Sequence, residues 1–162
     1  MTKVTRIYLL VILVALLTSP KDSLAQSDVR AKVMDRQALM KSMLRSYFPL
    51  LDISKGKSTD LAKAAEAARK LNDDMIKSLT LFQEGTAVGQ VPGSRAKPEV
   101  WSNSLEFETA AKALTSSISK LIELSESGDI EGFQAQFPLV EKACIGCHEF
   151  KPSGGGKFRY GK

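Results

Sequence analysis

The chain holds two cysteines and one histidine, and all three fall within five positions, as Cys144, Cys147 and His148. The spacing C-x-x-C-H admits three chemistries. A structural zinc site takes four ligands, most often Cys or His, and the sequence offers three. A thioredoxin-like dithiol opens a helix after a strand, where the helix N-terminus lowers the thiol pKa; here the pair lies near the end of the chain. The third chemistry is covalent haem. Two thiols add to the two vinyl groups of a porphyrin, and the adjacent imidazole falls beneath the iron. That reading consumes both cysteines and needs no fourth ligand.

Such a group needs a core behind it, and the sequence supplies helices. No stretch alternates apolar and polar residues long enough for a strand, whereas four segments carry helical spacing. The first runs from about Asp28 to Tyr47, with Val29, Val33, Arg36, Met40, Met43, Leu44 and Tyr47 on one side and Pro49 as a stop. The second starts near Ser58 or Thr59 and aligns Leu61, Ala65, Ala68, Leu71, Met75, Leu79 and Phe82. The connection "EGTAVGQVPGSRAKP" follows, long enough to suggest a crossover or a segment lying against a ligand. The third begins at Pro98 or Glu99 and closes at Gly128. The fourth runs from about Asp129 towards Phe150, with Ile130, Phe133, Phe137 and Val140 on its apolar face and Pro138 interrupting it. The same steps carry that stripe through Cys144, Cys147 and His148, so the motif faces the core. The expected fold is all-α, an antiparallel four-helix bundle with a covalently bound haem.

The N-terminus changes how the thiols are read. Lys3 and Arg6 precede an apolar run from Ile7 to Leu17, and small side chains follow at Ser23 and Ala25. This is a secretory leader pattern, with cleavage expected after Ala25. The run is too short to span a bilayer. Residues 1–25 are thus expected to leave a domain of 26–162, ending in a flexible, Gly-rich basic tail over about 152–162. Export to the periplasm favours consumed thiols over free ones. Removing Lys3, Arg6, Lys21 and Asp22 leaves 20 basic and 17 acidic residues, a net charge of +3. So small and dispersed a charge argues against nucleic acid, though it suits encounters with acidic redox partner proteins. No stable membrane insertion is expected after the leader is removed.

With His148 as one axial ligand, the opposite face of the iron decides function. The chain has no second histidine. A methionine there gives six-coordinate, electron-carrying iron; a non-ligating side chain leaves room for a small gas or peroxide. Met1 lies in the leader and Met34 off the apolar face, so Met40, Met43 and Met75 remain on spacing alone. Core filling is the competing use of each.

"RQALM" at 36–40, "KPEVW" at 97–101 and "KACIGCHEF" at 142–150 resemble the class II cytochromes c, the cytochrome c′ family. The resemblance covers nearly the whole exported part. It implies one haem c per chain, with Cys144 and Cys147 as thioethers and His148 as proximal ligand. It also implies that Arg36 and Gln37 lie near the haem propionates, and that Met40, four residues after the arginine, faces the distal side. That position is typically apolar in five-coordinate members and Met in low-spin ones. The aromatic–Arg pair common after the ligating histidine is absent: Phe150 is two residues on and Lys151 follows. The family includes antiparallel dimers and monomers, so a homodimer is compatible. The expected function is single-electron transfer with His148/Met40 ligation, the alternative being a gas-binding haem with an open or labile site. No nucleophile–base pair or acid–base dyad is evident, so no enzyme is expected.

Overall fold

In the computed structural model, residues 20–148 and 155–161 are described. The helices are α1 (Pro20–Ser54), α2 (Leu61–Leu79), the one-turn α3 (Glu99–Ser102), α4 (Ser104–Glu126) and α5 (Ile130–Cys147). Among the described residues the one departure from helix and loop is an isolated antiparallel bridge between Ala96 and Arg159.

Local sequence explains where the elements begin and end. The Asp60 carboxylate accepts from the Lys63 N–H at 3.0 Å, and Asp129 accepts from Gly132 N–H at 2.8 Å. Such caps satisfy amide groups that a helix start leaves open and contribute about 1 kcal/mol each. Gly128, at φ +79°, supplies the left-handed residue that lets α4 turn into α5.

Four cross-helix contacts define the bundle. Lys70 on α2 donates to Ser42 on α1 at 3.2 Å, and Arg69 pairs with Glu126 on α4. Gln136 on α5 reaches the Ser117 carbonyl of α4 at 3.0 Å, and Gln134 reaches the Ile53 carbonyl of α1 at 3.1 Å. Each helix is therefore antiparallel to both neighbours, in the ring order α1, α2, α4, α5. The core between them holds Leu50, Ile53, Leu71, Ile118, Leu121, Phe133, Phe137 and Val140, all essentially fully buried. Burying each such side chain stabilises by about 1.5–3 kcal/mol. The expected four-helix bundle is what forms.

The structure differs from the expectation in several places, two of them helix ends: α1 begins at Pro20 and not near Asp28, and α5 stops at Cys147, which leaves His148 off the helical stripe. α1 continues past Pro49 to Ser54, because Leu50 and Ile53 beyond it are needed in the core. α2 starts one residue after Asp60, which takes the cap in place of Ser58 or Thr59. The third segment breaks at Asn103 into α3 and α4. The tail expected to be flexible is seated over 155–161, where Phe158 is buried. Residues 1–19 of the expected leader lie outside the described residues, and 20–25 form the first turns of α1.

Candidate haem site

α5 carries the cysteines on its buried stripe. Phe133, Phe137 and Val140 face the core, and the next steps bring Cys144 against the same cluster. Cys147, one turn further, packs into a second cluster formed by Ala96, Val100 and Phe158, with Phe82, Trp101 and Phe107 at its margin. Burial, with the neighbouring Cys147 and Glu141, pushes the Cys144 thiol up to about 12, and burial also raises Cys147. Burial thus works against the thiolate form that a redox dithiol or thiolate metal site uses. No disulfide joins them. The helix ends with Cys147: His148 is extended at φ −161°, ψ 154°, although its N–H still donates to the Cys144 carbonyl at 3.3 Å.

α1 faces this motif in a register fixed by two contacts. The Tyr47 hydroxyl donates to Glu141, and Gln134 reaches Ile53. Seven residues back along α1 from Tyr47 and seven forward along α5 from Glu141, about 10 Å in each helix, Met40 stands level with His148. Val33, Arg36 and Met43 on this face of α1 are buried, yet Met40 between them is 38% exposed. The helix cover is interrupted at the height of the motif. Met43 and Met75 are built into the main core, and Met34 is 60% exposed. Of the three methionines that spacing left open, Met40 is the one not consumed by packing.

Arg36 and Gln37 hold the long connection. The Arg36 guanidinium is buried; it donates to Thr86 Oγ1 at 2.9 Å and the Thr86 carbonyl at 3.1 Å. It also reaches Ser94 Oγ at 3.4 Å and lies 4.4 Å from the Phe82 ring centroid. Gln37 donates to the Gly93 carbonyl at 2.9 Å. The Arg36 pKa falls to about 10 through desolvation, so it stays charged at neutral pH. The connection is thus strapped across α1 at the level above Met40.

The comparisons decide the family. The family model described as Cytochrome C' matches residues 31–151. The chain belongs to the cytochrome c′ family. A cytochrome c′ of Rubrivivax gelatinosus is 30% identical over 115 residues, covering 70% of this chain and 88% of the relative. A crystal structure of cytochrome c′ from that organism superposes with a TM-score of 0.66 at 28% identity, over 74% of this chain and 92% of the other. The chain is also similar to a ferrous variant of cytochrome c prime from Alcaligenes xylosoxidans solved with bound nitric oxide. That match has a TM-score of 0.66 and 25% identity over 78% of this chain and 94% of the other. A cytochrome c-556 of Agrobacterium tumefaciens is 29% identical over 118 residues, covering 73% and 93%. The cofactor of a cytochrome c′ is covalently bound haem c.

The residues present suit such a group. Two thiols about one turn apart have the C-x-x-C spacing that takes the two vinyl groups of one porphyrin. The apolar face around Met40 is open at the matching height. A porphyrin also brings two carboxylates, and the structure holds cationic groups without their own. Arg95 Nη1 is buried with no hydrogen-bond partner, and desolvation and the neighbouring Arg95 lower the Arg159 pKa. Two guanidinium groups side by side gain from a shared carboxylate. An open groove of about 720 Å³ along α2 and α4 contains none of the motif residues but shares Phe82, Val100, Trp101 and Phe107 with the cluster around Cys147.

Spacing singled out Cys144, Cys147 and His148, the resemblance singled out Met40, and neither pointed to Arg95, Gly156 or Phe158. These lie in irregular segments, where helical periodicity says nothing. The one available signal was Phe158 and Tyr160 alternating within a glycine-flanked stretch.

Proposed function

We propose that this cytochrome c′ is an exported, periplasmic haem protein that binds a small neutral gas, such as nitric oxide or carbon monoxide, on the face opposite His148. The observation that carries the reading is Met40: a flexible thioether, partly exposed, on an apolar face level with the motif. Met43 and Met75 are fixed in the main core and Met40 is not, which leaves this face for a diatomic ligand. The relative with bound nitric oxide supports the same reading.

In this reading Cys144 and Cys147 would hold the porphyrin through two thioether bonds, one to each vinyl group. His148 supplies the proximal nitrogen. Arg95 and Arg159 offer donors to the propionates, whereas Arg36 and Gln37, expected there, are bonded to the connection. When bound, the haem supplies an iron that takes a diatomic ligand. The chain's own part is to bury that group, present an apolar face that disfavours charged ligands, and hold the imbalance of charge in the two arginines. In this reading the protein acts as a binder or carrier. Among the described residues no helix is long and apolar enough to cross a membrane.

A second reading is electron transfer to redox partner proteins with His148 and Met40 both on the iron. Their common height on α5 and α1 supports it. Absorption spectra separate the two. High-spin bands and ready carbon monoxide binding by the ferrous protein support the gas reading; low-spin bands that resist carbon monoxide sink it. Under the gas reading Met40→Leu leaves the spectrum unchanged, whereas under the second it turns a low-spin spectrum high-spin.

A further inference from the structure

We infer that the C-terminal segment 155–161 is a built wall of the haem site, and that Gly156 and Phe158 are positioning residues for His148. This stands on haem attachment at the motif and not on which ligand the iron takes.

The segment sits directly on the turn that ends α5. The Phe158 N–H donates to the Cys147 carbonyl at 3.2 Å, one of the acceptors that a helix end leaves without an internal partner. At Gly156 the approach is backbone against backbone: an added Cβ would lie 2.3 Å from His148 Cα and 2.6 Å from the Cys147 carbonyl oxygen. Neither of those atoms can swing aside as a side-chain tip would. Only glycine fits.

Side-chain packing fastens the same segment. Phe158 is 3% exposed and shares the second apolar cluster with Cys147, Ala96 and Val100. Its ring meets Phe107 edge-on at 5.2 Å, and Phe107 meets Phe82 at 4.9 Å. Lys157 pairs with Glu106 on α4.

The other edge of the segment is tied to the long connection. Lys97 N–H donates to the Phe158 carbonyl and Tyr160 N–H to the Arg95 carbonyl, both at 3.0 Å. The connection is in turn bonded to α1 through Arg36 and Gln37. One continuous path therefore runs from the helix that carries Met40, through the connection and the segment, to the backbone of His148. The usual aromatic–arginine pair after the histidine is missing in this chain, and the returning segment brings an aromatic ring and Arg159 to the same end. Partners that hold a metal-bound histidine in place tune the metal as well as its geometry.

The experiment compares holoprotein with Phe158→Ala, Gly156→Val and Tyr160→Ala, reading the ferric and ferrous absorption spectra and the reduction potential. The Tyr160 side chain is exposed and its tie to Arg95 runs through the backbone N–H, which alanine keeps, so this position serves as the control. Phe158→Ala is expected to lower the potential, because water admitted beside the macrocycle favours the more highly charged ferric form. Gly156→Val is expected to change the ferric spin-state bands by displacing His148, and Tyr160→Ala to leave both readouts as in the parent. Equal potentials and spectra across all three variants would overturn the inference. Amide hydrogen exchange in the parent holoprotein guards against a variant that fails to fold. Lys97, Phe158 and Tyr160 are expected to exchange at least about a hundredfold more slowly than an open chain, and exchange at the open-chain rate overturns the proposal. A protein that takes no thioether-bound haem, seen as a blank haem stain on a denaturing gel, sinks the haem assignment itself. That outcome is distinct from a haem protein indifferent to the substitutions.

Discussion

The two ends of the bundle are closed by different means. Where α1 turns into α2 and α4 into α5, short capped turns bring Leu50, Ile53, Leu121 and Phe133 into a continuous core. At the opposite end, where Cys147 emerges, irregular chain does the closing: the connection after α2, the one-turn α3 and the segment 155–161. The first end is held by periodic side chains on neighbouring helices. The second depends on residues far apart in sequence meeting through backbone bonds. Rigid helices make the frame, and the loop-built end is left to fit a large planar group.

Substitutions can break that contrast, and the largest effect is expected at the loop-built end. Replacing both Cys144 and Cys147 by alanine should abolish covalent haem, so that acidified organic solvent extracts all the pigment; retention in the protein would refute the thioether assignment. At the helix-built end, Phe133→Ala should cost about 3–5 kcal/mol in denaturant unfolding while leaving the spectrum of the surviving folded protein unaltered. A spectral change there would mean that the two ends are coupled more tightly than the packing indicates.

Arg36→Met tests the strap between them. Removing the guanidinium leaves Thr86 and Ser94 without their donor, a loss of about 1–3 kcal/mol. Limited proteolysis should then cut within 84–97 sooner than in the parent. The smallest effect is expected from acid. Burial opposes charge on Asp74, but bonds from Lys70 and Ser42 outweigh it and hold its pKa below the ordinary 3.8. A carboxylate lowered by folding stabilises the protein above its unfolded pKa and loses that contribution as pH falls through the folded value. The loss therefore falls below about pH 4. Asp74→Asn should flatten the acid limb of a stability–pH curve by a few tenths of a kcal/mol, the scale of an i, i+4 pair.

How much of this was legible in the sequence follows the same division. The core positions Phe133, Phe137, Val140, Ile118 and Leu121 obey a helical period, so they could be read without a structure. Asp129 and Gly128 announced the last turn in the same way. Pro49 misled because a local stop signal competes with tertiary burial, and the two buried residues beyond it won. Cys144, Cys147 and His148 were legible because their spacing is itself chemical. Arg36 stands at the edge of an apolar stripe, a position that does not reveal a buried bond to Thr86, fifty residues away. Gly156 and Phe158 lie in a glycine-rich stretch whose composition resembles a linker, and composition carries no record of what the chain returns to touch. Met40 is intermediate: its height is legible, its exposure is not.

The bridge between Ala96 and Arg159 also bears on the order in which the molecule assembles. The pairs that close the helical frame are hairpins of neighbouring helices, with modest sequence separation. The bridge joins mid-chain to the last residues, and contacts of high sequence separation form late because their loop-closure entropy must be met first. The cysteines thus have an interval in which the frame exists but its final wall does not. A protein that must receive a bulky cofactor on two buried thiols gains time for it when the closing segment is the last to dock.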